Sequence, residues 1–141
     1  KVYENPGLLK MVANSLSRKI KSKPIQPIQG KPTCVGAIGY GGIPLATLVS
    51  LKLNLPLTLI RSEKRTHGLK KKIEGYIPTV QDKVAIVEDV CTYGTSLNKA
   101  IEALKYTKAK INGCYVVILR PEMRLPFRHR LDYLVKAKDL F

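Results

Sequence analysis

Four short runs of almost unbroken apolar residues constrain this chain more than any other feature: CVGAIG (34–39), LTLIR (57–61), VAIVEDV (84–90) and CYVVILR (114–120). A strand with one wet face alternates apolar and polar residues, whereas a strand covered on both faces does not. The runs therefore read as strands buried on both sides, which need helices to cover them. The intervening stretches supply these. NPGLLKMVANSLSRKI has Asn5 as an N-cap, Pro6 at the first helical position, and Leu8, Leu9, Val12, Leu16 and Ile20 on one face, which predicts a helix over 6–21. Pro44 opens a second helix, IPLATLVSLKLN, which stops before Pro56, and the YGG ahead of it reads as a tight turn. Leu97, Ala100, Ile101 and Leu104 mark a third. IEGYI (73–77) reads as a short strand and DYLVKA near the C-terminus as a weaker one. This alternation predicts the α/β class: a mostly parallel central sheet flanked by helices. A length of 141 residues fits one domain, 1–141, with a single core.

Several function classes fall away. No stretch approaches the roughly 18 apolar residues of a membrane span, and no signal-peptide pattern is present. Cys34, Cys91 and Cys114 are far apart, lie in or beside apolar runs, and lack C-x-x-C spacing. They read as reduced thiols of a cytoplasmic protein, not as a disulfide framework or zinc site. A net charge of +15, from 25 Lys and Arg against 10 Asp and Glu, favours an anionic partner: nucleic acid, a membrane surface or a phosphorylated small molecule. Residues 61–72 concentrate Arg61, Lys64, Arg65, Lys70, Lys71 and Lys72 against the single acid Glu63. With aromatics at only 6% and no basic–aromatic interleaving, nucleic acid is disfavoured.

In open α/β sheets, ligands gather outside the carboxyl ends of the strands. Three polar features fall at such ends: the Tyr40-Gly41-Gly42 turn, the loop after Arg61, and the acids Glu88-Asp89 with the turn that follows. Cys91-Thr92-Tyr93-Gly94-Thr95-Ser96 supplies hydroxyls, a glycine and backbone N–H groups just ahead of a helix, a cradle for phosphate. The two carboxylates would repel that phosphate unless they address another part of the same ligand. Sugar hydroxyls or a hydrated Mg²⁺ fit that role, so a phosphorylated ribose meets both demands. The plainer alternative is a pair of strand-end charges followed by a helix cap. The coincidence of adjacent acids, glycine and clustered hydroxyls favours the ligand site.

VAIVEDVCTYGTSL resembles the phosphoribosyl pyrophosphate motif of the type I phosphoribosyltransferases: apolar residues, two acids, then a T-x-G-T-S loop. VGAIGYGGIPLATLVSLKLNLPLTLIRSEKRTHG is similar to the orotate branch, with its glycine turn, G-I-P-L-A helix, strand ending in Arg, and loop containing His-Gly. ILRPE (118–122) matches that branch's strand ending in Arg-x-Glu, and NPGLLKMVANSLSRKI its preceding helix, so the likeness covers about residues 5–122. It implies transfer of ribose 5-phosphate from phosphoribosyl pyrophosphate to orotate, giving orotidine 5-phosphate and pyrophosphate. Glu88 and Asp89 would bind the ribose hydroxyls and stabilise positive charge on the sugar, with Mg²⁺ held mainly through the substrate near them. Val90, Cys91, Thr92, Tyr93, Gly94, Thr95 and Ser96 would form the 5-phosphate loop, and Tyr40 and Gly41 would also contact substrate. Arg61 and His67 would engage pyrophosphate from a loop, 61–72, that the family shares between the subunits of a homodimer. Arg120 would pair with the orotate carboxylate through its planar fork.

The departures are specific. Arg65 stands where the family places a catalytic Lys, with Lys64 one residue earlier, and Ser62 stands where a second Lys is usual. Arg65 keeps the charge but does not donate a proton at neutral pH. The family's N-terminal hood over the base precedes the point at which this sequence starts, so the sequence is either a piece or hoodless. Two alternatives stay open: a purine-type phosphoribosyltransferase, against which Arg120 argues, and a non-catalytic regulator that senses phosphoribosyl pyrophosphate and binds nucleic acid.

Overall fold

The computed structural model describes residues 2–22, 30–63, 72–120 and 129–140. The first helix, α1 (Pro6–Lys21), has the predicted bounds. Its cap is the one the sequence offers: the Leu8 N–H donates to Asn5 Oδ1 at 3.0 Å, and Pro6, with no N–H to satisfy, fills the first position. The strands are β1 (Cys34–Ile38), β2 (Leu57–Ile60), β3 (Ile73–Gly75), β4 (Lys83–Cys91), β5 (Lys110–Leu119) and β6 (Leu131–Lys136). Helix α2 (Gly39–Leu53) joins β1 to β2, and α3 (Thr95–Leu104) lies between β4 and β5. The six strands form one sheet in the order β3-β2-β1-β4-β5-β6, parallel except for the edge strand β3.

Strand alternation divides the core into two layers. Val35, Ala37, Ala85, Val87 and Tyr115 face α1 and α2, meeting Leu16, Leu45 and Val49. Cys34, Ile86, Cys114 and Val116 turn the other way, against Leu97, Ala100 and Leu104 of α3. Leu16 is fully buried, so truncation to Ala there would cost about 2–5 kcal/mol.

The connections place the candidate site. From β1 the chain crosses through α2 to β2 on one side, and from β4 through α3 to β5 on the other. The two crossovers diverge at the junction of β1 and β4, the switch point where such sheets open a crevice. The hydrogen-bonded register shows the opening. β1 stays paired with β2 as far as Ile38↔Ile60, and β4 with β5 as far as Cys91↔Leu119, but the β1–β4 ladder stops at Gly36↔Ile86. Beyond that rung the central strands part.

Three boundaries differ from expectation by more than one residue. Strand β3 ends at Gly75, two residues short of the IEGYI run (73–77). The Tyr40-Gly41-Gly42 stretch is not a tight turn before a helix at Pro44; it is the first turn of α2, with Pro44 inside the helix. The glycines are there for close approach. A Cβ on Gly42 would stand 2.7 Å from the Val87 carbonyl oxygen, so the helix start lies against β4 only because that position has no side chain. Strand β5 begins at Lys110, four residues earlier than the apolar run, because Asn112 is buried with its polar atoms satisfied. Its amide donates to the Gly30 carbonyl at 2.9 Å and its oxygen accepts from the Tyr115 hydroxyl at 2.6 Å.

Candidate functional site

Glu88 and Asp89 lie in the second half of β4, where that strand has left β1 behind. Adjacent strand residues leave the backbone toward opposite faces, yet both carboxyls come back to the first turn of α2, where a Cβ on Gly42 would stand 3.3 Å from Glu88 Oε1. Glu88 is buried and lines a cleft of about 230 Å³ at the start of α3, together with Thr92, Gly94, Thr95 and Ser96. Asp89 is half-buried and lies against Gly41 at the start of α2: a Cβ built on Gly41 would come 2.6 Å from its carboxyl carbon. The carboxyls remain close enough to feel each other. Burial, then a hydrogen bond to the Asp89 side chain, pushes the Glu88 carboxyl up to about 8, while the Asp89 N–H, 3.0 Å from Glu88 Oε1, works in the opposite direction.

A helix N-terminus stands on each side of this pair. α3 begins after Gly94, whose φ of 80° places it in the left-handed region, and no side chain caps the helix or places an acid in its first turn. The leading N–H groups of α3 therefore face the cleft with the positive end of the helix dipole behind them. Cys91 shapes the turn from within. Burial raises its thiol, and the Gly94 N–H hydrogen-bonds to it. α2 has no side-chain cap or first-turn acid either. Two uncapped helix N-termini thus flank two carboxyls, an arrangement suited to a ligand with phosphate at both ends and hydroxyls between.

The other expected site residues divide into three groups. Val90 and Tyr93 line the same cleft as Glu88, and Tyr93 is 60% exposed. Tyr40, at 98% exposure, points into solvent beside the start of α2. Arg120 follows β5, its side chain is exposed, and its N–H donates to the Cys91 carbonyl at 2.9 Å, which ties the end of β5 to the cleft. Arg61 is turned elsewhere: its guanidinium pairs with Glu74 of β3 at 2.5 Å, and its N–H donates to the Lys72 carbonyl at 2.7 Å. Lys64, Arg65 and His67 lie outside the described residues, as do Lys70 and Lys71. Among the described residues, no three or more His, Cys, Asp or Glu side chains gather as a metal cage. No helix among them is long and apolar enough to cross a membrane.

One neighbour of the site escaped the sequence reading. Tyr3, in the single turn Val2–Glu4 ahead of α1, donates its hydroxyl to the Gly41 carbonyl. No local periodicity marks it, because its partner lies 38 residues away.

The sequence matches the phosphoribosyl transferase domain over residues 1–137, and the chain belongs to that family. An orotate phosphoribosyltransferase from Pyrococcus furiosus is 34% identical over 122 residues, covering 86% of this chain and 64% of its own length. The chain thus spans less than two thirds of that curated relative. The crystal structure of orotate phosphoribosyltransferase from Aeropyrum pernix superposes with a TM-score of 0.81 at 25% identity, covering 99% of this chain and 77% of its own. Adenine phosphoribosyltransferase from Leishmania tarentolae shares the fold at a TM-score of 0.70 and 16% identity, covering 97% of this chain and 74% of its own. The fold is therefore common to members named for different bases.

Proposed function

We propose that this chain carries the donor-binding and catalytic core of an orotate phosphoribosyltransferase of pyrimidine biosynthesis. The observation that carries this reading is the Glu88-Asp89 pair standing at the fork of the sheet between two uncapped helix ends. In phosphoribosyl pyrophosphate, the 5-phosphate would rest on the N–H groups and hydroxyls of Thr92 to Ser96, the ribose diol on Glu88 and Asp89, and the pyrophosphate toward the start of α2. The kinship with orotate enzymes, together with Arg120 held beside Cys91, supports orotate as the acceptor.

The reaction forms a bond from the orotate ring nitrogen to the anomeric carbon, with loss of that nitrogen's proton, and breaks the carbon–oxygen bond to pyrophosphate, which leaves with the electron pair. Positive charge accumulates on the sugar as the bond breaks. A carboxylate beside the diol stabilises that charge, and two fixed helix ends hold the donor so that little reorganisation is needed. Two adjacent carboxyls with room for phosphate oxygens fit Mg²⁺, which favours a few carboxylates plus substrate over an all-protein cage. Asp89 and Glu88 would hold it, and when bound it neutralises charge on the leaving pyrophosphate. Lys64, Arg65 and His67 would add cationic groups from the 61–72 loop, and we assign them, with Arg61, to the pyrophosphate. A homodimer sharing that loop, acting in the cytoplasm, completes the reading; its three free thiols suit a reducing compartment.

The test is orotate consumption with phosphoribosyl pyrophosphate and Mg²⁺, measured beside salt-dependent nucleic-acid binding. Turnover of orotate, with none of adenine or hypoxanthine, is the expected result. Tight nucleic-acid binding without turnover would replace the enzyme with a regulator. Glu88→Gln combined with Asp89→Asn should abolish turnover in a folded protein, and full activity would overturn their role. Arg120→Ala should raise the KM for orotate far more than that for the sugar donor.

A further inference from the structure

The hydroxyl of Tyr3 ends beside the two carboxyls, although its residue belongs to a segment outside the sheet and its crossovers. Core filling does not explain it, since Tyr3 remains 41% exposed. Its acceptor, the Gly41 carbonyl, lies in the first turn of α2, the end that no side chain caps. The Asp89 carboxyl presses on the same residue so closely that a Cβ would collide with it. The first turn of α2 is thus held by both a phenol and a carboxylate at Gly41. Burial, then Asp89 and Glu88, push the phenol up to about 12, so it keeps its proton.

We propose that Tyr3 is a positioning residue of the donor site: by holding the Gly41 carbonyl, its hydroxyl aims the leading N–H groups of α2 at the pyrophosphate end of the donor. The inference rests on reading this cleft as a phosphoribosyl pyrophosphate site. It gives the segment before α1 a part in binding that the motif loop alone does not show. The residue acts on one end of the ligand only, because the 5-phosphate loop lies across the fork on α3.

That asymmetry makes the test. Tyr3→Phe removes the donor and keeps the ring. Calorimetric titration of the whole chain with inorganic pyrophosphate, with ribose 5-phosphate and with phosphoribosyl pyrophosphate separates the two ends. The variant should bind pyrophosphate and the full donor about 3–10-fold more weakly, the loss expected for one hydrogen bond. Its affinity for ribose 5-phosphate, its KM for orotate and its melting temperature should match the wild type. Equal weakening for pyrophosphate and ribose 5-phosphate, or a lowered melting temperature with uniform losses, would show a merely structural tyrosine and overturn the inference. So would unchanged pyrophosphate affinity in a variant whose wild type binds the full donor. A wild type that binds none of the three would bring down the donor-site reading and this inference together.

Discussion

Glu88 and Asp89 are neighbours in sequence whose carboxyls both reach the first turn of α2, Asp89 at Gly41 and Glu88 at Gly42, while Glu88 also lines the cleft at the start of α3. Their adjacency drew a site proposal from the sequence because paired acids at the end of an apolar run have no role in the core. Their cost is legible only in three dimensions. Glu88 is 6% exposed and its charged form is disfavoured by burial, so Glu88→Gln alone should leave melting temperature equal or higher while activity is lost. A thermal melt beside a rate assay checks both halves. Gly94→Ala places a side chain at a φ of 80°, which should cost about 1–2 kcal/mol and weaken phosphate binding with it. Asp82 passed unremarked in the sequence, because its partners are hydroxyls scattered over distant positions. Thr33 donates to one oxygen at 2.7 Å; the Tyr76 hydroxyl, at 2.8 Å, and the Thr79 N–H, at 2.7 Å, donate to the other. Burial opposes the charged form, but these donors outweigh it and hold the carboxyl below its usual range. Its folded value therefore lies under the unfolded value of about 3.9. The stabilisation is complete above that pH and disappears as pH falls through the folded value. Asp82→Asn should cost about 1–3 kcal/mol at neutral pH and flatten the acid limb of a stability–pH curve.

At the scale of elements, α1, β1 and the centre of β4 could be read from sequence because burial on both faces, or a cap and a face, leaves a strong local pattern. The start of α2 could not. Glycines serve turns and close contacts alike, and only the proximity of Val87 decides between them. Gly42→Ala should push α2 away from β4, at a cost of about 1–3 kcal/mol for overpacking. Denaturant melts should register that loss, and donor affinity should fall with it, because the same turn faces Asp89. The early residues of β5 were hidden by the polar Asn112, whose satisfaction depends on Gly30 and Tyr115. Arg61 illustrates a different limit: its place at the end of β2 was readable, but its pairing with Glu74 across the antiparallel β2–β3 pair was not.

For the molecule as a whole, class, strand content and the mostly parallel sheet followed from the alternation of buried runs with helices. Strand order followed only as far as parallel pairing requires. Cys34, Cys91 and Cys114 are each at most 3% exposed, and burial raises every one of these thiols. A thiol reagent should therefore leave the native protein unmodified and react only at the rate of unfolding; prompt labelling would contradict the packing. The parting of β1 from β4 has a mechanical consequence. The halves of the sheet resemble the arms of tweezers, hinged on the three rungs from Cys34↔Val84 to Gly36↔Ile86. A guest grasped by both tips would stiffen that pivot from afar, and deuterium should then enter those rungs more slowly, although none of them touches the guest.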